Sequence, residues 1–308
     1  MPKVQIESDA QWHELRKRNI GGSDIAALFG CSPWATAFTL WSEKAGIVEH
    51  AVEENTRMRL GKFLEPFIAS EIGRELGWTV ERSKEYYLSE TVPGMGATLD
   101  FDILDHQWGP GICETKCVFD HKSYLENWSE DRAPPHVELQ TQHQLATTGR
   151  PWAAIVVLVV QTGTVQPAII RRPIPEVISQ IENKVREFWQ SVKERRRPEP
   201  TGTDDELAIM RKIWPAREPR KIIEIPSAEL AGEAELFRWA SESLAGLERQ
   251  RTASKTKLLA AAEDAELLKL PNYNVNVKQD KRGFIRVSVA PADNGVKADG
   301  PHPTLEAG

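Results

Sequence analysis

Three cysteines in 308 residues, Cys31, Cys113 and Cys117, are too few for a disulfide framework or a four-cysteine iron–sulfur site. The spacing C-x3-C-x3-H that ends at His121 lacks the fourth ligand a structural zinc ion needs. No apolar run reaches transmembrane length, and the opening MPKVQIESDAQW carries no signal-peptide core, so the expected location is the cytoplasm. A Walker A motif is absent, which removes support for an ATP-driven function. An excess of positive charge is missing as well: the formal net charge is -6. That excludes polyanion binding by average charge and leaves room only for a local basic track, for which Lys116, Lys122, Arg132, Arg150, Arg171 and Arg172 are candidates. The 40% hydrophobic content is enough for a substantial core.

Chemistry concentrates between Gly96 and Cys117. Asp100 lies in the apolar-rich run ATLDFDIL and Glu114-Thr115-Lys116 in GICETKC, two predicted strands joined by a turn around HQWGPG. Residues two apart on a strand share a face, so Glu114 and Lys116 project together and Asp100 meets them from the neighbouring strand, while Cys113 and Cys117 point the other way. Asp102 shares the strand face of Asp100, and either is a candidate for the principal aspartate. Clustered carboxylates repel unless a cation neutralises them, and hard oxygen ligands suit magnesium, with manganese as a substitute. Magnesium keeps open positions for water and phosphate, which points to phosphodiester chemistry. Lys116 then orients or helps deprotonate a water, or stabilises charge on the phosphate. Upstream, Glu65 sits among Leu64, Ile68 and Ile72 at helical spacing, on the boundary of a buried stripe. Downstream, His136–Ala146 reads as a helix rich in amides, including Gln140 and Gln142.

Gly21-Gly22-Ser23 precedes the run DIAALFG, a predicted short helix ended by Gly30 with Ser23 as its N-cap. Amides at a helix start, a hydroxyl and the nearby Arg16 would make a site for a terminal phosphate.

Five pieces in order, Trp12–Ala26, Gly61–Glu65, Ala97–Asp100, Cys113–Cys117 and Leu139–Gln142, resemble the YqaJ-like viral recombinase family, a relative of lambda exonuclease within the PD-(D/E)xK nuclease superfamily. The resemblance covers roughly residues 10–195. It implies a restriction-endonuclease-like α/β core with a mixed central sheet flanked by helices. It also implies a magnesium-dependent 5′-to-3′ double-strand DNA exonuclease, working in a bacterial host cytoplasm. By resemblance Asp100, Glu114 and the Thr115 carbonyl bind metal and Lys116 is the catalytic lysine. Glu65 supports the network, Gln140 belongs to the family's Q-x-Q helix with Gln142 behind it, and Arg16 and Ser23 hold the 5′-phosphate. Where the family often has Pro-Asp-Gly this chain has Leu99-Asp100-Phe101-Asp102, so the choice between Asp100 and Asp102 stays open. The implied partners are double-stranded DNA ends, further copies of the chain in a trimer, and a single-strand annealing protein of the RecT or lambda Beta type. A structure-specific or restriction-like endonuclease and a non-catalytic end-binding scaffold are the alternatives.

The exonuclease domain is set at 1–198. Within it, Trp152–Val160 reads as a strand buried on both faces, Thr164–Arg172 as its partner with Pro167 at an edge or bulge, and Pro175–Arg196 as a helix. A Pro/Gly/acid-rich linker is set at 199–225. An appendage at 226–290 combines a heptad-like helix, with Leu230, Phe237, Leu244, Leu258 and Ala265 at seven-residue positions, and two short strands around Asp280–Gly283. Residues 291–308 are expected to be a disordered tail.

Overall fold

The computed structural model describes residues 2–49 and 54–292, in two compact units that meet between Pro219 and Arg220. In chain order the first unit holds β1 (Lys3–Gln5), α1 (Asp9–Arg18), α2 (Ile25–Leu28), α3 (Ala37–Lys44), α4 (Thr56–Leu76), β2 (Val80–Arg82), β3 (Glu85–Leu88), β4 (Gly96–Thr98), β5 (Phe101–Ile103) and β6 (Gly111–Val118). It continues through α5 (His121–Asn127), α6 (Pro135–Thr148), β7 (Ala153–Val159), β8 (Thr164–Val165), β9 (Ile169–Arg171), α7 (Pro175–Lys193) and α8 (Asp204–Ile213).

Of the expected hairpin only β5–β6 forms, antiparallel with Phe101 opposite Cys113, because the run ATLDFDIL breaks at Leu99-Asp100 and its start, β4, joins another sheet; Gly109 at φ 82° supplies the left-handed residue the turn requires. β7 is buried along its whole length and lies parallel to β6, the crossover being made by α5 and α6. The central sheet runs β2-β5-β6-β7-β8, with β9 also on β7, so it is mixed. Pro167 divides the expected single partner of β7 into β8 and β9, because it offers the ladder no N–H. One face of the sheet packs Phe101, Cys113, Trp152 and Val156 against Ile68 and Ile72 of α4. The other packs Ile112 and Ala153 against Leu145 of α6, and α7 lies behind α6. A small sheet, β1-β3-β4, completes the unit.

Two readings are corrected here. Ser23 is not the cap of α2. That helix is only four residues long with Asp24 at its N-cap, and no side chain caps it because the Asp24 carboxylate is drawn to Arg16, Lys44 and the Gly21 amide. The stretch 199–225 is not a plain linker. It contains α8, whose capping box joins Thr203 and Glu206.

The second unit begins with α9 (Ala228–Ala262) and continues through β10 (Leu267–Lys269), β11 (Tyr273–Gln279) and β12 (Ile285–Pro291), an antiparallel sheet in that order. The heptad-like stretch therefore ends sooner than expected. Glu263, at φ 49°, closes the helix, so Ala265 lies past it and Leu268 is a strand residue. Pro291 closes β12, and of the expected tail residues 293–308 lie outside the described residues.

Candidate active site

β6 sits in the middle of the sheet, and its alternation sends Cys113 and Cys117 into the α4 side while Glu114 and Lys116 face α6. Glu114 is fully buried. Its Oε1 accepts from Lys116 Nζ and Gln140 Nε2, and its Oε2 accepts from Gln144 Nε2 at 2.7 Å. Lys116 Nζ also donates to Gln140 Oε1 at 3.1 Å, so one glutamine bridges the acid and the base. Asp100 stands just before β5, where its Oδ2 accepts from both the amide and the hydroxyl of Thr115 at 2.9 Å. Glu65 comes from α4 and pairs with Arg82 at 3.1 Å.

These groups feel one another. Burial, then the Asp100 charge, pushes the Glu114 carboxyl well above its usual range, against the pull of Lys116 and Gln144. Burial and Asp100 likewise raise Glu65, opposed by Arg82 and Lys116. For Lys116 burial works toward the neutral amine, but Glu114 and Asp100 outweigh it and the pKa rises, with Glu65 adding to them. The two partners of the short ion pair thus both shift upward. Burial leads for Glu114, while for Lys116 the negative charge of Glu114, Asp100 and Glu65 outweighs it.

Of the predicted site residues, the structure brings together Asp100, Glu114, Thr115, Lys116, Gln140 and Glu65. Asp102 is turned aside to form an ion pair with Arg150, next to Tyr87. Gln142 is also elsewhere: its amide donates to the Arg172 carbonyl and accepts from the Ile174 amide, strapping α6 to the start of α7. Arg16 and Ser23 do meet, at 3.2 Å, but Arg16 is shared with Asp24, which Lys44 also holds at 3.1 Å. Most of the supposed basic track is occupied: Arg150 by Asp102, Arg171 by Glu138 and Lys122 by Glu126, while Arg172 lies over the Trp108 ring.

Sequence reasoning missed Gln144, Arg82 and the Asp24–Lys44 pair. Gln144 had a signal, since it lies four residues from Gln140 on the same face of α6. Gly22 joins the Arg16–Ser23 loop to this face: a Cβ there would stand 3.1 Å from Gln140 Cγ and 3.4 Å from Gln144 Cγ. The loop therefore rests on the two glutamines that grip Glu114.

Residues 11–151 match the family model of the YqaJ-like viral recombinase domain, and all five ordered motifs lie inside that span, so the resemblance stands. The chain is 25% identical over 266 residues to the uncharacterized protein YqaJ of Bacillus subtilis, covering 85% of this chain and 81% of that protein. Among solved structures it is similar to LHK-Exo, an alkaline exonuclease from Laribacter hongkongensis, with a TM-score of 0.51 and 22% identity over 60% of this chain and 93% of that one. It is also similar to LHK-Exo in complex with dAMP, with a TM-score of 0.52 and 21% identity over the same shares. These likenesses establish a shared fold of the lambda-exonuclease type.

Proposed function

We propose, from the premise that residues 11–151 are a YqaJ-like viral recombinase domain, that this protein is a magnesium-dependent deoxyribonuclease. It would degrade one strand of double-stranded DNA from its 5′ end and leave a 3′ overhang for strand annealing. The observation that carries this reading is the convergence of Asp100, Glu114 and Lys116 under Gln140, with Glu65, raised by burial, close enough for the Asp100 charge to raise it further. The names of the structural neighbours, an alkaline exonuclease free and with a nucleotide, point the same way.

Among the described residues no group of three His, Cys, Asp or Glu side chains is close enough to hold an ion unaided. Magnesium does not require one, since it commonly takes one or two carboxylates and fills its shell with water and phosphate. Asp100, whose Oδ1 takes no hydrogen bond from the described residues, Glu114 and the Thr115 carbonyl are the fitting ligands. When bound, the ion would lower the pKa of an attacking water and draw charge from the scissile phosphate.

The protein's own residues do the rest. Lys116, held beside Glu114 by Gln140, is placed to orient or help deprotonate the attacking water or to meet charge that develops on the phosphate. Gln140 holds Lys116 and Glu114 at fixed separation, and Gln144 fixes the second Glu114 oxygen, so neither collapses onto the incoming backbone. Arg16 and Ser23 receive the 5′-phosphate, and Lys44 keeps enough positive charge near Asp24 for Arg16 to turn toward the end. Assembly into a homo-oligomer, a trimer by resemblance, and hand-over to a single-strand annealing protein of the RecT or lambda Beta type complete the reading.

The test is to incubate the protein with linear and covalently closed circular duplex, with magnesium or with EDTA. Loss of the linear duplex alone, in magnesium alone, from 5′ ends, is the expected result. Cleavage of closed circles would make it an endonuclease, and cleavage in EDTA would remove the metal.

A further inference from the structure

Three side chains of α6 stand one turn apart on a single face: His136, Gln140 and Gln144. The two glutamines belong to the site, since Gln140 bonds both Glu114 and Lys116 and Gln144 bonds the other Glu114 oxygen. His136 continues that row by one turn, about 5.4 Å, toward the start of the helix. Burial and then the Lys116 charge hold its imidazole below the usual pKa, so at neutral pH it borders the site as an uncharged ring. Against it stands Trp34, with ring centroids 5.0 Å apart and planes at 87°. An edge-to-face contact leaves at least one face of the indole open. Within the first unit little else covers that ring, which is 73% exposed.

The backbone beneath the indole is tied down. Ser32 Oγ accepts from the amides of Trp34 and Ala35, both at 3.2 Å, and Thr36 caps α3 two residues further on. A platform fixed in this way before any ligand arrives loses little freedom when a flat ligand stacks on it. Its place relative to the rest of the site has a direction. Gly22 of the Arg16–Ser23 loop rests on Gln140 and Gln144, so the order along α6 is that loop, then Lys116 at Gln140, then His136 with Trp34. Lys116 thus lies between the loop and the indole.

We propose that Trp34, seated edge-on to His136, stacks on the nucleobase immediately 3′ of the scissile phosphate, the base of the second nucleotide from the 5′ end. This rests on the nuclease reading above and adds a base contact to it. With the terminal phosphate at Arg16 and Ser23 and the scissile phosphate at Lys116, the next nucleotide of the same strand arrives on the Trp34 side. The chemistry divides accordingly: charged and amide groups around Lys116 suit phosphate, whereas the uncharged Trp34–His136 pair offers a ring face, which any of the four bases can match.

The test reads binding to the full-length protein by fluorescence anisotropy in EDTA, on 5′-phosphorylated duplexes that carry an abasic sugar at the first, the second or the sixth nucleotide, or at none. Loss of the second base should weaken wild-type binding about 5- to 150-fold, the range that one base–aromatic stack covers, and loss of the first or sixth should weaken it less. Trp34→Ala and Trp34→Leu should bind the intact and second-position duplexes alike, while Trp34→Phe should keep most of the difference, because it keeps a ring. Light scattering should give Trp34→Ala the wild-type mass. Equal wild-type affinity for all four duplexes, a loss confined to the first or sixth position, a difference that survives in Trp34→Ala, or an altered mass that makes Trp34 a contact between copies overturns the proposal and leaves the nuclease reading standing. Failure of the wild type to bind any of the duplexes overturns both.

Discussion

Lys116 and Glu114 face the amides of α6 and neither side chain joins the apolar core, so changing them should separate activity from stability. Lys116→Ala is expected to lower hydrolysis by about 10²–10³-fold, the typical loss when one preorganised charge-stabilising group is removed. Its thermal midpoint in EDTA should stay close to that of the wild type, and a large drop there would return Lys116 to a structural role. Asp24 behaves in the opposite way. Burial alone would lift its carboxyl, but Lys44 and Arg16, helped by the Gly21 amide, hold it below the usual carboxylate range. A depressed folded pKa means stabilisation that is present above the unfolded value of ~3.9 and fades as pH falls through the folded one. Asp24→Asn should therefore cost about 3–5 kcal/mol near neutral pH, as expected on breaking a mostly buried pair, with the difference from wild type shrinking below pH ~4. Urea unfolding at pH 7 and pH 3 measures both. At this scale the sequence was informative where chemistry and alternation coincide, as at Glu114 and Lys116. It failed for Asp24, because nothing local announces that Lys44, twenty residues on, will bury its ammonium there.

The turn from Gly21 to Ser23 lies on α6 at Gly22, and its Ser23 is bonded to Arg16. Gly22→Ala would drive a methyl into Gln140 Cγ and Gln144 Cγ, so the loop or the glutamines must give. It should reduce hydrolysis on all ends alike, because Gln140 and Gln144 grip Glu114. If Arg16 and Ser23 hold a 5′-phosphate as proposed, Arg16→Ala should instead shrink a preference for 5′-phosphorylated over 5′-hydroxyl duplex and spare the hydroxyl-ended rate, since such a site would place the end and not perform the chemistry. Paired single-turnover rates on the two substrates distinguish the patterns. Equal loss on both ends in Arg16→Ala would count against the phosphate assignment. Long periodic elements were legible: β6, the fully apolar β7, and α4, α6 and α7 appear where the pattern put them, whereas the single strand expected over ATLDFDIL is broken at Leu99-Asp100 into β4 and β5, which belong to different sheets. The three- and four-residue strands β1 to β3 were not read, since segments that short carry no period and gain their identity only from pairing across the chain. The wrong cap at Ser23 has the same origin: the rule for capping is local, and a distant lysine and arginine took the aspartate instead.

For the whole molecule, the question is where the first unit ends, and composition alone put that point near Arg197–Asp205. The structure carries it farther. Glu206, on α8, is 1% exposed and accepts from the Thr36 hydroxyl at 2.6 Å and from the amides of Thr201, Gly202 and Thr203 at 2.7–3.1 Å. Burial works against its charge, yet those bonds outweigh it and hold the carboxyl below its usual range, so the ionised group is well satisfied. Ile209 of the same helix is buried as well. A polar, proline-rich stretch reads as a linker because its few apolar residues show no long period, but one carboxylate in a ring of donors is enough to fasten it. A chain cut after Pro219 should then stay soluble, melt in a single transition and hydrolyse short duplexes. A chain cut after Pro200 removes Glu206 and Ile209, leaving the Thr36 hydroxyl and the first turn of α3 without their partner. Hydrogen bonds to a charged group are worth about 1.5–3 kcal/mol each. For a unit of this size each kcal/mol moves the midpoint by roughly 2–4 °C. The shorter fragment should accordingly melt several degrees below the longer one, and Glu206→Ala in the longer fragment should reproduce most of that gap. Equal midpoints for the two fragments would show that α8 is only laid against the unit, and the boundary would move back to Pro200.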